Sequence, residues 1–208
     1  TARSRQRLQP PFVYISPATL LLAGCLGLLS SGCANVQSRS TTEIEYPAQY
    51  RQALEDFPAS DELAPETLTR FVDFLSGLGR PTSGAEAASL YASDLHFSDA
   101  LMVTRDKQTV VDHFSRLSEA GTRVTVEMHQ TLQTGGDVYL IWSMQARFTP
   151  LRKEVVSDTL GVTHVRFNTK GQVILHQDFW DSGLGFYAHI PVLGAGVRAV
   201  ARRFAADR

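Results

Sequence analysis

Apolar residues recur every three or four positions in the first part of the globular region, a spacing typical of helices. The pattern predicts a first helix over 47–57 and a second that begins at Pro65 and stops at Gly79. A third predicted helix runs from a cap at Ser83 or Gly84 through Tyr91. All three present one apolar stripe, so each is expected to pack on a common core.

Further along the chain, apolar and polar positions mostly alternate with a period of two, which indicates strands. Strands are predicted over 95–99, 122–134, 138–148, 157–167 and 171–181. Gly135-Gly136-Asp137 joins the second and third of these in a hairpin. A helix over 106–120, capped by Asp106, separates the first strand from the second. Helices first and a long antiparallel sheet afterwards predict the α+β class.

The last predicted strand carries a mixture of side chains that is unusual for a core strand. Because strand side chains alternate between faces, Ile174, His176, Asp178 and Trp180 are expected on one face. Polar groups buried there without partners would cost roughly 1–3 kcal/mol each. This face is therefore predicted either to line a cavity with a polar edge or to hold side chains that pair with each other.

Residues 1–33 have the layout of a bacterial export signal. Three arginines and no acid precede an apolar core over 20–29, which is short for a membrane-spanning helix of about 20 residues. Small residues before Cys33 resemble a lipobox, so Cys33 is predicted to be acylated and to become the mature N-terminus. Cys25 is the alternative site, and an uncleaved anchor helix is the other interpretation. Ala34 after the lipidated cysteine favours the outer membrane, by resemblance to enterobacterial lipoproteins.

The remainder divides into a tether rich in Ser, Thr and Gln over 34–46, a domain over 47–181 and an extension over 182–208. The extension ends in a basic amphipathic pattern with Arg198, Arg202 and Arg203. Such a helix either lies on a membrane surface or packs on its own sheet with its arginines in solvent.

Composition narrows the function classes. The chain has 208 residues and a net charge of −1, with 43% hydrophobic residues, which fits one globular domain with appendages. It has no basic patch interleaved with aromatic residues, so nucleic-acid binding is not expected. Both cysteines lie in the signal, and the histidines lack paired ligand spacing, so we predict no metal site and no cofactor. His96, His113 and His129 are expected to face solvent.

Three stretches together resemble the ketosteroid isomerase and SnoaL-like group. They are Tyr91-Ala92-Ser93-Asp94 with its strand ending at Asp99, the helix that follows, and the paired last strands ending in His176-Gln177-Asp178-Phe179-Trp180-Asp181. The resemblance covers about residues 66–181. It implies the nuclear transport factor 2-like fold, a curved antiparallel sheet wrapped by N-terminal helices into a cone, also described as a cystatin-like α+β roll. In this group the hollow of the cone commonly holds a small apolar ligand or substrate.

Alternation of the strands suggests which residues face that hollow. The candidate ligand contacts are Tyr91, Phe97, Val126, Trp142, Met144 and Trp180. A mostly apolar pocket with a few polar groups is the usual form of a small-molecule site. The candidate catalytic residues are Asp99, His176 and Asp178, which lie toward strand ends.

The resemblance suggests roles for these polar residues. Asp99 falls on the position of the general base of ketosteroid isomerases, and Asp178 with His176 is similar to an acid/base pair of the polyketide cyclase sort. Structural interpretations stand beside these: Asp99 as a turn residue, and His176 with Asp178 as a hydrogen-bonded pair that reaches His164 or Arg166.

The oxyanion donors of the isomerases are missing. The tyrosine position aligns with Phe71 or Phe74, and the second aspartate aligns near Thr163. This argues against steroid isomerisation as such.

Three functions remain open on the sequence. The first is a lipoprotein domain, anchored to the bacterial envelope, that binds a small apolar molecule without strong catalysis. The second is a SnoaL-like isomerase, cyclase or hydrolase that uses Asp99 or Asp178 as general acid/base. The third is a protein-interaction module that forms a homodimer, because members of this fold often dimerise.

Overall fold

A computed structural model of the protein describes residues 46–60, 63–118, 122–149 and 153–205. The predicted signal, Cys25, Cys33 and the predicted tether up to residue 45 lie outside the described residues. Tyr46, predicted as the last tether residue, instead begins the first helix. Among the residues that are described, no helix is long and apolar enough to cross a membrane.

The described residues form six α-helices and six strands. The helices are α1 Tyr46–Asp56, α2 Pro65–Ser76, α3 Ser83–Leu90, α4 Lys107–Arg116, α5 Ser182–Gly185 and α6 Leu193–Phe204, with a 3-10 turn at Tyr187–His189. The strands are β1 Tyr91–Ser98, β2 Val103–Asp106, β3 Arg123–Thr134, β4 Asp137–Phe148, β5 Val155–Phe167 and β6 Val173–Trp180. The α+β class predicted from the sequence is confirmed.

Two differences from the prediction have local causes. Tyr91 ends the third predicted helix in the sequence pattern but begins β1 in the structure, because its backbone pairs with Val173 of β6. The short strand β2 was not predicted, because its four residues have mostly exposed side chains and show no alternation of apolar and polar positions. It pairs antiparallel with β1 at the edge of the sheet.

All six strands belong to one sheet, in the order β2-β1-β6-β5-β4-β3. Four of the neighbouring pairs are antiparallel, as predicted, whereas β1 and β6 are parallel. A parallel pair requires a long connection, and here α4 and four strands separate β1 from β6 along the chain. The pairing brings the end of β1, with Asp99 just beyond it, next to the end of β6.

The inner face of the sheet carries the main core. Helices α2, α3 and α4 contribute Phe71, Phe74, Leu90, Val110 and Phe114 to it, all at most 3% exposed. These residues occupy the apolar stripes seen in the sequence. The two phenylalanines at the isomerase tyrosine position, Phe71 and Phe74, are thus core residues.

The outer face of the sheet is covered by α1 where β5 and β6 run. Leu175 packs there with Ala53 and Phe57. The pairing between β5 and β6 shifts at this point, from Phe167 opposite Val173 to Arg166 opposite Leu175, so Ile174 is an extra residue. Ile174 therefore packs on the α1 side, and the prediction that it shares a face with His176 is wrong.

The outer face also buries polar side chains. His96 is 2% exposed, and its Nε2 lies 3.0 Å from Oε1 of Gln177 on the neighbouring strand β6. The expectation that His96 faces solvent is therefore wrong, because the outer face in this region is not a solvent face. His129, in the middle of β3, is exposed as expected.

Candidate functional site

The inner side of the cone encloses a cavity of about 290 Å³. Most of its lining side chains are apolar and come from β3, β4 and the helices. Phe97, Val126, Trp142, Met144 and Trp180, five of the predicted ligand contacts, lie on its wall. All three candidate catalytic residues, Asp99, His176 and Asp178, line it as well.

Tyr91, the sixth predicted ligand contact, is not on the cavity wall. Its side chain is completely buried beneath His176, and its hydroxyl lies 2.7 Å from Nδ1 of that histidine. We correct its assignment accordingly: Tyr91 contacts a cavity residue and not the cavity. The cause is the β1–β6 pairing, which places the first residue of β1 deep in the core.

His176 connects Tyr91 to Asp178. Its second ring nitrogen, Nε2, lies 3.0 Å from Oδ1 of Asp178, two residues later on the same face of β6. Burial and, secondarily, the charge of Asp178 raise the pKa of Tyr91 well above its ordinary value, so the phenol keeps its proton and donates it to Nδ1. In neutral imidazole the other nitrogen then carries the ring proton, and Nε2–H donates to Asp178.

A second chain of donors reaches the same carboxylate oxygen. The indole Nε1–H of Trp142 donates to Oγ1 of Thr163 at 2.9 Å, and the Thr163 hydroxyl donates to Oδ1 of Asp178 at 2.5 Å. Oδ1 therefore ends both chains. Among hydrogen bonds of the described residues, none reaches Oδ2 of Asp178, which leaves that oxygen available to a molecule in the cavity.

Asp99 both stabilises a turn and lines the cavity. Its Oδ1 accepts hydrogen bonds from the backbone amides of Leu101 and Met102, at 2.9 and 2.8 Å, and so stabilises the turn between β1 and β2. Its Oδ2 lies 3.2 Å from Nε2 of His113 on α4. Trp180 fixes the backbone as well, since its Nε1–H donates to the Asp99 carbonyl at 2.7 Å.

His113 is a site residue that the sequence interpretation missed. It was expected in solvent, but it lines the cavity with its side chain only 20% exposed. Helical spacing could have indicated this position, because His113 is three residues after Val110 and four before Leu117, on the inward stripe of α4. Burial lowers the pKa of His113, against the pull of Asp99, so the imidazole is neutral near pH 7.

Two imidazole–carboxylate pairs therefore share one part of the cavity, His113 with Asp99 and His176 with Asp178. Phe97 lies between the rings, with centroids 5.7 Å from His113 and 4.8 Å from His176. The charge of Asp178 also acts on the pKa of His113, so the two pairs are electrostatically linked. This arrangement can accept a proton from, or hydrogen-bond to, one polar group on an otherwise apolar molecule.

The predicted extension completes the wall. Gly185 and Phe186, at the end of α5, line the cavity, and Ser157 of β5 donates to the Gly185 carbonyl at 2.5 Å. Phe186 also stacks on Phe148, with ring centroids 5.8 Å apart. Within the described residues, no group of three or more His, Cys, Asp and Glu side chains could hold a metal ion.

Comparison with solved structures identifies the fold. A SnoaL-like polyketide cyclase from Shewanella denitrificans OS-217 superposes with a TM-score of 0.50 at 16% identity, over 58% of this chain and 94% of that one. An LEH-like epoxide hydrolase of M. tuberculosis gives 0.47 at 18% identity, over 66% of this chain and 96% of that one. A nuclear transport factor 2-like protein of unknown function from Exiguobacterium sp. 255-15 also gives 0.47, at 14% identity, over 55% and 98%.

The first of these similarities shows that the chain has the fold of SnoaL-like proteins, the nuclear transport factor 2-like cone, as predicted. No protein-family model matches the chain. No curated protein sequence matches it.

Proposed function

We propose that the cone binds a small, predominantly apolar molecule that carries one hydrogen-bond donor. The observation that supports this is the cavity itself, whose apolar wall is interrupted by the two imidazole–carboxylate pairs. Its volume, about 290 Å³, lies just below the range for ligand pockets, roughly 300–1,000 Å³, so the ligand is expected to be small. A donor on the ligand would meet Oδ2 of Asp178, and the rest of the ligand would lie against Val126, Trp142 and Met144.

A neutral fluorescent probe tests this binding. N-phenyl-1-naphthylamine is apolar, carries one N–H donor and absorbs the emission of tryptophan, and Trp142 and Trp180 are both on the wall. We expect energy transfer from the tryptophans when the probe is titrated into the full chain.

Two variants locate the binding. Ala146→Phe adds a ring inside the cavity, where Ala146 forms part of the wall. It should weaken probe binding at least tenfold, about 1.4 kcal/mol. Ala48→Phe adds the same ring at an exposed position of α1 and should leave binding unchanged. Equal binding by both variants would place the probe elsewhere and overturn the proposal.

The hydrogen-bond chain at Asp178 supports a second function, acid/base catalysis on a molecule in the same cavity. Asp178 is the proton acceptor, Nε2 of His176 stabilises the carboxylate, and Tyr91 positions His176. The fold similarity to a SnoaL-like polyketide cyclase agrees with a cyclic ketone or polyketide-like substrate. Deprotonation next to a carbonyl would move the proton to Asp178 and the electron pair into the enolate.

Deuterium exchange tests the catalytic proposal separately from binding. Cyclic ketones and β-keto esters are incubated with the full chain in D2O, and loss of the α-proton signal is followed by NMR. A general base contributes about 10²–10⁴-fold, so Asp178→Asn should slow exchange by at least a hundredfold. Asp158→Asn, on the exposed part of β5, is the matched control. Probe binding without any exchange would retain the first function and exclude this one for these ketones.

A further inference from the structure

The C-terminal helix α6 presents an apolar stripe to solvent. Leu193, Val200 and Phe204 are 49%, 60% and 82% exposed. At 100° per residue these three positions lie within about 40° of each other around the helix. They therefore form one continuous line of large apolar side chains that nothing in the described part of the chain covers.

The residue before the helix adds to the stripe. Val192 is 90% exposed and has a φ of 69°, a left-handed conformation that a β-branched residue rarely adopts. A non-glycine residue in this conformation is strained, so the surrounding structure must hold it there. The backbone thus holds an apolar side chain outward at the beginning of the stripe.

Charge sets this segment apart from the rest of the domain. Residues 182–205 contain Arg198, Arg202 and Arg203 and no acid, whereas residues 46–181 contain 12 Lys and Arg against 18 Asp and Glu. Arg202 and Arg203 are exposed, and the ion pairs found among the described residues do not include them. An anionic surface would therefore attract this segment and repel the body of the domain.

We propose that α6 is an interfacial helix that docks the domain on an anionic lipid bilayer. Its apolar stripe would enter the boundary between headgroups and acyl chains, while Arg202 and Arg203 contact lipid phosphates. The inference goes beyond ligand binding in the cavity and does not depend on it.

The size of the stripe favours a bilayer over a second copy of the chain. A stable protein interface buries about 800 Å² on each partner, whereas large side chains bury roughly 150–250 Å² each. The few side chains of this stripe fall short of that area unless a much larger surface joins them. A bilayer needs no complementary partner surface, so a narrow stripe with flanking arginines is sufficient.

Helix α6 packs against the segment that contributes Gly185 and Phe186 to the cavity wall. Gly194 is buried against the 3-10 turn, where an added Cβ would come within 2.1 Å of the Ala188 carbonyl oxygen. Arg198 donates to the same carbonyl. Since Gly185 and Phe186 belong to this segment and line the cavity, docking would bring that part of the cavity wall toward the lipid.

A fluorophore on the stripe tests the proposal directly. In the full chain, Cys25→Ser and Cys33→Ser remove the natural thiols, and Val200→Cys is labelled with a nitrobenzoxadiazole dye. The same dye on Gln133→Cys, exposed at the β3–β4 hairpin, is the matched control. Vesicles of phosphatidylglycerol mixed with phosphatidylcholine are compared with vesicles of pure phosphatidylcholine, and circular dichroism checks that each variant is folded.

We expect a blue shift and a severalfold rise in emission at position 200 with the anionic vesicles. The change should be smaller with neutral vesicles, and absent at position 133. Because the dye reports on α6 itself, insertion of the apolar segment within residues 1–33 does not imitate this result. The double variant Arg202→Glu with Arg203→Glu should weaken binding to the anionic vesicles at least tenfold.

Two results would overturn the proposal. Equal responses at positions 200 and 133 would show that α6 does not meet the lipid. A blue shift without vesicles that grows with protein concentration would show that the stripe is covered by a second copy of the chain.

Discussion

The hydroxyl of Tyr91 lies 2.7 Å from Nδ1 of His176. Because Nδ1 accepts this hydrogen bond, the ring proton of neutral His176 is on Nε2, which donates to the carboxylate of Asp178. Tyr91 and His176 are both buried, and their rings also stack, with centroids 6.0 Å apart. A residue at the start of β1 thus selects the tautomer and the ring orientation of a cavity residue on β6. Tyr91 is a positioning residue in this arrangement.

Removing that hydroxyl should be costly. Tyr91→Phe leaves Nδ1 of His176 without its donor, so we expect a loss of about 1–3 kcal/mol in the free energy of unfolding. Nitrogen-15 NMR should also show a mixture of His176 tautomers. Tyr139→Phe is the control, because Tyr139 stacks on His164 through its ring, with centroids 4.5 Å apart. Similar losses in both variants would mean that the Tyr91 hydroxyl has no special role.

Thr163 connects Trp142 to Asp178, so its hydroxyl is expected to matter in the same way. Thr163→Val leaves the buried indole N–H without an acceptor and should cost about 1–3 kcal/mol, measured by urea unfolding. Thr163→Ser retains the hydroxyl and should cost clearly less. If the serine variant loses as much as the valine variant, packing of the methyl group explains the effect and the hydrogen bonds do not.

Stability should fall when the pH drops below about 6.5. Burial is the main cause that lowers the pKa of His96, His113 and His164 in the folded chain. Between the lowered pKa values of the folded chain and about pH 6.5, the unfolded chain therefore binds more protons than the folded chain. The free energy of unfolding is highest above about pH 6.5 and decreases as the pH falls toward the pKa values of the folded histidines. Each of these histidines changes the free energy of unfolding by at most about 1.4 kcal/mol per pH unit.

Urea unfolding between about pH 7.5 and 5.5 measures this decline. His113→Gln removes one of the three titrations while retaining a donor for Asp99, and should make the decline shallower. His129→Gln, at an exposed position, should not. An unchanged slope in the His113 variant would show that this histidine does not contribute.

The docking of α1 should depend on Arg166. Its Nη1 donates to the carbonyls of Leu54 and Phe57, at 2.8 and 2.9 Å, and its Nε donates to Asp137 at 2.5 Å. Arg166→Met should therefore accelerate amide hydrogen exchange in α1 by about tenfold or more, which corresponds to about 1.4 kcal/mol. Arg123→Met, at an exposed position of β3, is the control. Unchanged protection of α1 would show that apolar contacts alone hold it.

The predicted lipid anchor can be tested at its two candidate cysteines. Cys33→Ser should release the protein from the membrane fraction, because acylation requires the thiol. Cys25→Ser should leave it there. Release by the Cys25 variant alone would place the cleavage site at Cys25, and retention of both would favour the uncleaved anchor helix. Fractionation should be done in high salt, which weakens contacts through Arg202 and Arg203.

Local patterns were sufficient to predict most of the elements. Three-residue and four-residue spacing marked α1 to α4, and alternation marked five of the six strands. The predicted helix cap at Asp106 is confirmed, since its side chain accepts a hydrogen bond from the Thr109 amide at 2.8 Å. These features depend on neighbours within one or two turns, or along one strand, and such contacts are visible in the sequence.

The candidate site was only partly visible for the same reason. His176 and Asp178 were recognised as a pair because they lie on one strand, and Asp99 through a resemblance. His113, Thr163 and Tyr91 belong to the same arrangement, but their roles arise from pairing between distant strands and from the packing of α4 on the sheet. Ile174 was placed on the wrong face because a one-residue bulge interrupts the alternation.

The sequence by itself thus determined the class of the fold, the helices with their apolar faces, and the polar character of β6. Tertiary structure alone decided that β1 runs parallel to β6, that Tyr91 is behind His176, and that Phe186 lines the cavity. The physical reason is the range of the interactions. Helix periodicity and strand alternation are short-range properties of the backbone, whereas the position of a buried hydrogen bond depends on which distant segments the whole core brings together.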